Sequence, residues 1–103
     1  MPWLLLCVAG LLEIVFALAM KSSDGFTRPA PALVTVASGL SSVALLSFAL
    51  RTLPVGTGYA VWTGIGAAGT AILGICLMGD AATPSRILCI ALILGGVIGL
   101  KLQ

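Results

Sequence analysis

The chain has 103 residues, 60% of them hydrophobic and only 8% charged, and its formal net charge is +2. That composition excludes a soluble globular domain and leaves a polytopic membrane protein, and so small a net charge offers little to a nucleic acid. A spanning helix takes ~20 apolar residues, so four spans use roughly 80 positions and leave no room for a soluble or nucleotide-binding module.

The first predicted helix covers about residues 2–20 and holds Glu13 near its centre. A charge at that depth costs about 3 kcal/mol on insertion scales, so acids kept there are as a rule functional. Apolar surroundings penalise the ionised form, so this carboxyl is expected to take up and release protons as it works. The bland alternative is a neutral, hydrogen-bonded structural acid. Ala17-Leu18-Ala19 has the pattern of a signal cleavage site, but no basic segment precedes it and Glu13 would interrupt the apolar stretch; a retained helix is expected. Gly10, Phe16 and Ala17 stand three or four residues from Glu13 and share its face. Gly10 is expected to leave room beside the carboxyl, and Phe16 to offer an aromatic surface one turn away. Trp3 reads as an interface anchor.

Lys21 to Arg28 form a polar turn, and Pro29 and Pro31 open the second helix, about residues 31–50. Proline is tolerated there because the early N–H groups have no intrahelical partner. Ser38, Ser41 and Ser42 bring hydroxyls to the middle of this helix; for Ser38 and Ser41 close helix packing is the preferred reading. Arg51-Thr52 ends the helix, and Pro54 and Gly56 mark the next turn. The third helix, about residues 57–78, carries Tyr59 and Trp62 on one face, each with a polar handle that seeks a partner when buried. Anchoring at the membrane interface is the alternative for both. Gly64 and Gly66, just beyond Trp62, either bend this helix or simply pack tightly. Gly79-Asp80 ends it.

The fourth helix, about residues 84–101, starts with Thr83 as cap and Pro84 in first position. Its Gly95 and Gly99 form a GxxxG pair that reads as a dimer-packing face, and Lys101 as an anchor. All four segments are too long and too continuously apolar for barrel strands, so the fold class is an all-α membrane protein with four transmembrane helices.

Histidine is absent, which removes imidazole metal sites and His relays. Cys7, Cys76 and Cys89 lie in apolar runs without a CxxC pair and read as packing hydrophobes, so no metal or cofactor is expected. The basic residues divide almost evenly: Arg51 and Lys101 on one side, Lys21, Arg28 and Arg86 on the other. So weak a bias predicts insertion in both orientations, with a single fixed topology as the alternative. Carriers commonly place a site at the midplane between two inverted repeats, and this chain holds no internal duplication. An antiparallel homodimer would supply the inverted half and bring two Glu13 side chains together.

The run Lys21-Ser22-Ser23-Asp24-Gly25-Phe26-Thr27-Arg28, the run Leu53 to Gly66, and Gly10 to Ala17 around Glu13 resemble the small multidrug resistance family over the whole chain. Trp62-Thr63-Gly64-Ile65-Gly66 and the ending Gly99-Leu100-Lys101 resemble its guanidinium exporter subtype more than its quaternary ammonium subtype. The resemblance implies an antiparallel dimer in the bacterial inner membrane that exchanges protons for guanidinium-type cations. It implies that Glu13 binds either proton or substrate, and that Ser42, Tyr59 and Trp62 line the site. It further implies that Gly64 and Gly66 sit at a bend and that helix four holds the dimer. Phe16 stands where that subtype usually has Trp, which removes an indole N–H, and Gly58 where Ala is usual.

The expected function is therefore proton-coupled export of guanidinium and small substituted guanidinium ions, not an enzymatic reaction. One alternative is export of hydrophobic quaternary ammonium ions, with Phe16, Tyr59 and Trp62 as an aromatic cage. Another is a non-transporting assembly subunit of the lipid bilayer.

Overall fold

The computed structural model describes residues 2–103, which form four helices: α1 (Pro2–Ser22), α2 (Pro29–Ala49), α3 (Val55–Met78) and α4 (Pro84–Leu102). Each is long and apolar enough to cross a membrane. Their ends lie within two residues of the sequence expectation. Pro29 and Pro31 both fall in the first turn of α2, which opens at Pro29, where a missing N–H is harmless. Gly56 lies inside α3 and not in the turn before it, because the helix starts directly after Pro54. At the other end of α1, Lys21 extends the helix into a last turn whose carbonyls favour a cation.

The connections are short and internally bonded. Between α1 and α2 the buried Ser23 hydroxyl donates to the Met20 carbonyl at 2.7 Å and accepts from the Phe26 amide at 3.1 Å. Asp24, Gly25 and Phe26 follow one another with φ of 50°, 71° and 67°, a left-handed run that is costly for so bulky a residue as Phe26. α3 ends on Gly79 at φ 74°, whose amide, like that of Asp80, donates to the Gly74 carbonyl. Thr83 caps α4 by accepting from the Arg86 amide at 3.3 Å.

The helices pack into a flat layer, 40 × 34 × 16 Å overall. α1 packs on both α2 and α3, α2 and α3 meet only narrowly, and α4 packs chiefly on α3, with Lys101 reaching over the Trp3 ring of α1. A layer one or two helices thick encloses little. Its main core joins Leu6 and Ala9 of α1, Leu46 and Ala49 of α2, and Val61 and Trp62 of α3. This core fills the half of the layer bearing Trp3 and Lys101, and Glu13 stands where it gives out. The three cysteines are exposed on the chain, not packed inside it; a thiol on the outer face of a spanning helix would still lie in apolar surroundings, so its sequence setting did not require burial.

Candidate functional site

Glu13 leaves α1 toward α3, where Gly66 receives it. A methyl group on Gly66 would lie 2.6 Å from the Glu13 Cγ, so the stem of the carboxyl occupies the space a side chain would take. Beyond that contact the side chain borders two open cavities. One, of about 400 Å³, is lined by Glu13, Phe16 and Trp62, with Leu40 and Val43 of α2 and with Phe26 from the strained turn. Its size is that of a small-molecule site, and its walls are almost wholly apolar around one acid. The other, of about 380 Å³, runs between α1 and α3 past Thr63 and Thr70 to Asp80.

Trp62 is fixed by a short chain of hydrogen bonds. Its indole N–H donates to the Ser42 hydroxyl at 2.9 Å, and that hydroxyl donates to the Ala9 carbonyl at 2.6 Å. The chain ties α3 to α2 and α2 to α1, and Ser42 is fully buried at its centre. Both polar atoms are spent inside the subunit, which leaves the Trp62 ring and not its N–H for a ligand. Tyr59 packs against this ring, centroids 5.3 Å apart and tilted by 53°. Ser38 and Ser41 donate to the carbonyls of Val34 and Ala37 on their own helix, at 2.6 and 2.8 Å. Among the described residues no buried side-chain polar atom lacks a partner.

The residues singled out in the sequence thus separate. Glu13, Phe16 and Trp62 share one cavity; Ser42 stands behind its wall, and Tyr59 stacks on Trp62 while 54% exposed. Gly10 does not open space for the carboxyl. The place of its missing side chain is filled by Ile65 of α3, because three residues along a helix leave two side chains about 60° apart around the axis. Gly64 admits Val97 and Ile93 of α4, and Gly66 admits Glu13. Close approach is therefore visible at both, and α3 continues through them as one helix. Gly95 and Gly99 have nothing within 4 Å of where a methyl group would sit, so their face is uncovered among the described residues. Gly58 makes room for Leu50.

Sequence reasoning passed over Gly39, on which the Phe16 ring rests (a methyl there would meet Phe16 Cδ1 at 2.7 Å), and Phe26. Gly39 had a signal: the buried positions Thr35, Ser38, Ser42, Leu46 and Ala49 recur at three- and four-residue steps along α2, and Gly39 adjoins that small-residue stripe. Phe26 had none, because only the left-handed turn returns its ring to the cavity.

A family model described as Small Multidrug Resistance protein matches residues 1–93. A protein of Citrobacter freundii named guanidinium exporter is 57% identical over 103 residues, covering 100% of this chain and 98% of that one. Proteins of the same name from Salmonella typhimurium strain LT2 and Yersinia pseudotuberculosis are 54% and 55% identical, over 100% and 99% of this chain and 98% of each of theirs.

Proposed function

The chain belongs to the small multidrug resistance family, and on that premise we propose that it is a proton-coupled antiporter exporting guanidinium and small substituted guanidinium cations across the bacterial inner membrane. One observation carries the reading: Glu13, the acid within the spans, borders a cavity of about 400 Å³ between the Phe16 and Trp62 rings. A guanidinium ion presents paired N–H groups that match a carboxylate fork, and its planar face suits an aromatic neighbour. With the Trp62 N–H committed to Ser42, the carboxylate is the anionic acceptor such a ligand would meet.

Proton and cation then compete for the same oxygens, so binding either weakens the other reciprocally. Competition joined to alternating access gives antiport without a further ion. An antiparallel homodimer would contribute a second Glu13 and cover the open side of the layer, with α4 and its Gly95–Gly99 face as the contact. Bending of α3 at Gly64 and Gly66 would let the site open to each side in turn.

Guanidinium added to weakly buffered, purified protein should release protons, and Glu13→Gln should abolish the release. Equal release from the variant sinks the reading, and so does none from the wild type. A second reading, export of quaternary ammonium ions, is favoured by the apolar walls and by Phe16, which offers a ring without an N–H. Proteoliposomes given guanidinium, alkylguanidines and tetraalkylammonium ions in parallel decide between the two. A non-transporting assembly subunit would leave every flux at the background of empty liposomes.

A further inference from the structure

The second cavity beside Glu13 continues toward the membrane boundary. Its lining shares Ala17, Thr70 and Asp80 with a neighbouring cavity of about 240 Å³ that reaches Lys21 and Met78. Joined, they form one groove between α1 and α3, from the acid to the end of both helices. Glu13 and Lys21 are eight residues apart on α1, which at 1.5 Å per residue makes the groove about 12 Å long. Thr63 and Thr70 supply hydroxyls along it, in contrast to the apolar walls of the cavity holding Phe16. Asp80 lies just past the Gly79 cap, and its carboxylate folds back over Gly74 into the groove. Lys21 lines the same mouth.

We propose that this groove is the route by which the organic cation reaches and leaves Glu13, with Asp80 as the steering carboxylate at its mouth and Lys21 as an opposing charge that limits the attraction. The inference rests on the reading of the chain as a cation exporter and adds to it an entry path and two residues that set its rate. A hydroxyl-lined trough ending in a carboxylate concentrates a hydrated cation at its opening, as a charged cleft does for its substrate. The mouth lies about one Debye length from Glu13 at 0.1 M salt, so its charge acts on the approaching ion more than on the bound one. The hydroxyls of Thr63 and Thr70 replace water along the way. Because the mouth holds one charge of each sign, the two residues act in opposite directions.

The test is initial guanidinium uptake into proteoliposomes, at low and high ionic strength. At low salt and sub-saturating guanidinium, Asp80→Asn should slow uptake about two- to fivefold and Lys21→Gln should raise it by a similar factor. Saturating rates should stay near wild type, and both differences should fade above roughly 0.5 M salt as the Debye length shrinks. Asp24→Asn removes an exposed acid from the same end of the layer, outside the groove lining, and should match wild type. Asp80 is exposed, and only its backbone amide bonds to Gly74, so its substitution leaves the fold intact. If wild type transports and Glu13→Gln does not, while Asp80→Asn equals Asp24→Asn at every salt, the steering role is refuted and the exporter reading stands. Wild type without guanidinium flux removes both.

Discussion

At the scale of single residues, Ser42 shows how much one hydroxyl organises. It accepts from the Trp62 indole and donates to the Ala9 carbonyl, so it sets the plane of an aromatic wall without bordering the cavity. Ser42→Ala leaves a buried indole N–H unpaired, which costs about 1–3 kcal/mol. The expected outcome is a lower melting temperature in detergent together with weaker guanidinium binding. In a Trp62→Phe background, Ser42→Ala should cost much less stability, since no indole N–H is then left unsatisfied, while the binding is not restored. A full set of four proteins measured in both assays checks this; additive stability losses would show that the bond carries no weight. Phe16 is held differently, by the absence of a side chain at Gly39, and the shape of the cavity there depends on that close approach.

Among the elements, α3 carries most of the burden. It buries Gly58, Gly64, Gly66 and Gly74 among its larger residues, and two of these set where its neighbours stand. Gly66 receives the Glu13 stem from α1, and Gly64 receives Val97 from α4. Gly64→Ala would overpack the α3–α4 contact and is expected to destabilise the subunit by about 1–3 kcal/mol. Shortening the opposing side chain with Val97→Ala should return part of that loss, which unfolding in mixed micelles would record. If the pair is no better than the single change, tight packing does not explain Gly64, and a bending role gains the weight. Element ends are less demanding. Thr83, Pro84 and Gly79 terminate helices by local bonds that tolerate a residue of drift.

On the scale of the whole molecule, a layer 16 Å thick leaves the cavity beside Glu13 open. Among the described residues α4 buries only Ile90, and a methyl group at Gly95 or Gly99 would meet nothing within 4 Å. An added Cβ at either position meets nothing within 4 Å, so replacing both with Leu should disturb the chain itself little, and a loss of association at unchanged thermal stability reports on assembly. We expect the doubly substituted chain to insert and fold while its association falls at least tenfold, measured by single-molecule subunit capture in bilayers. Undiminished association would place the contact elsewhere. Orientation is decided at this scale too, by two basic side chains against three. Ala30→Lys raises the larger number to four and should commit the chain to one orientation, with loss of export. Co-expression with a copy biased the other way (Thr52→Lys with Arg28→Ala and Arg86→Ala) should restore it, and topology reporters on each copy provide the check.

Four spans, their approximate limits, the helix caps and the exceptional status of Glu13 were all legible in the order of residues, because each depends on local chemistry. Twenty apolar residues are long enough to span as a helix, a proline fits a helix start and not its interior, and a lone acid in an apolar span stands out by its cost. The partners of those residues were not legible. That Gly10 yields to Ile65 and Gly66 to Glu13, that Ser42 bonds to Trp62 and Ala9, and that Asp80 lines a cavity reaching the acid all follow from how far each helix is rotated and shifted against the next. Hydrophobic pattern carries little of that information in a membrane protein, since the lipid side of each helix is as apolar as its buried side. The sequence by itself determined which segments can cross a membrane and which acid lies within one of them; tertiary packing alone decided which side chains meet it, because helix rotation is set by close contacts among small residues that composition does not order.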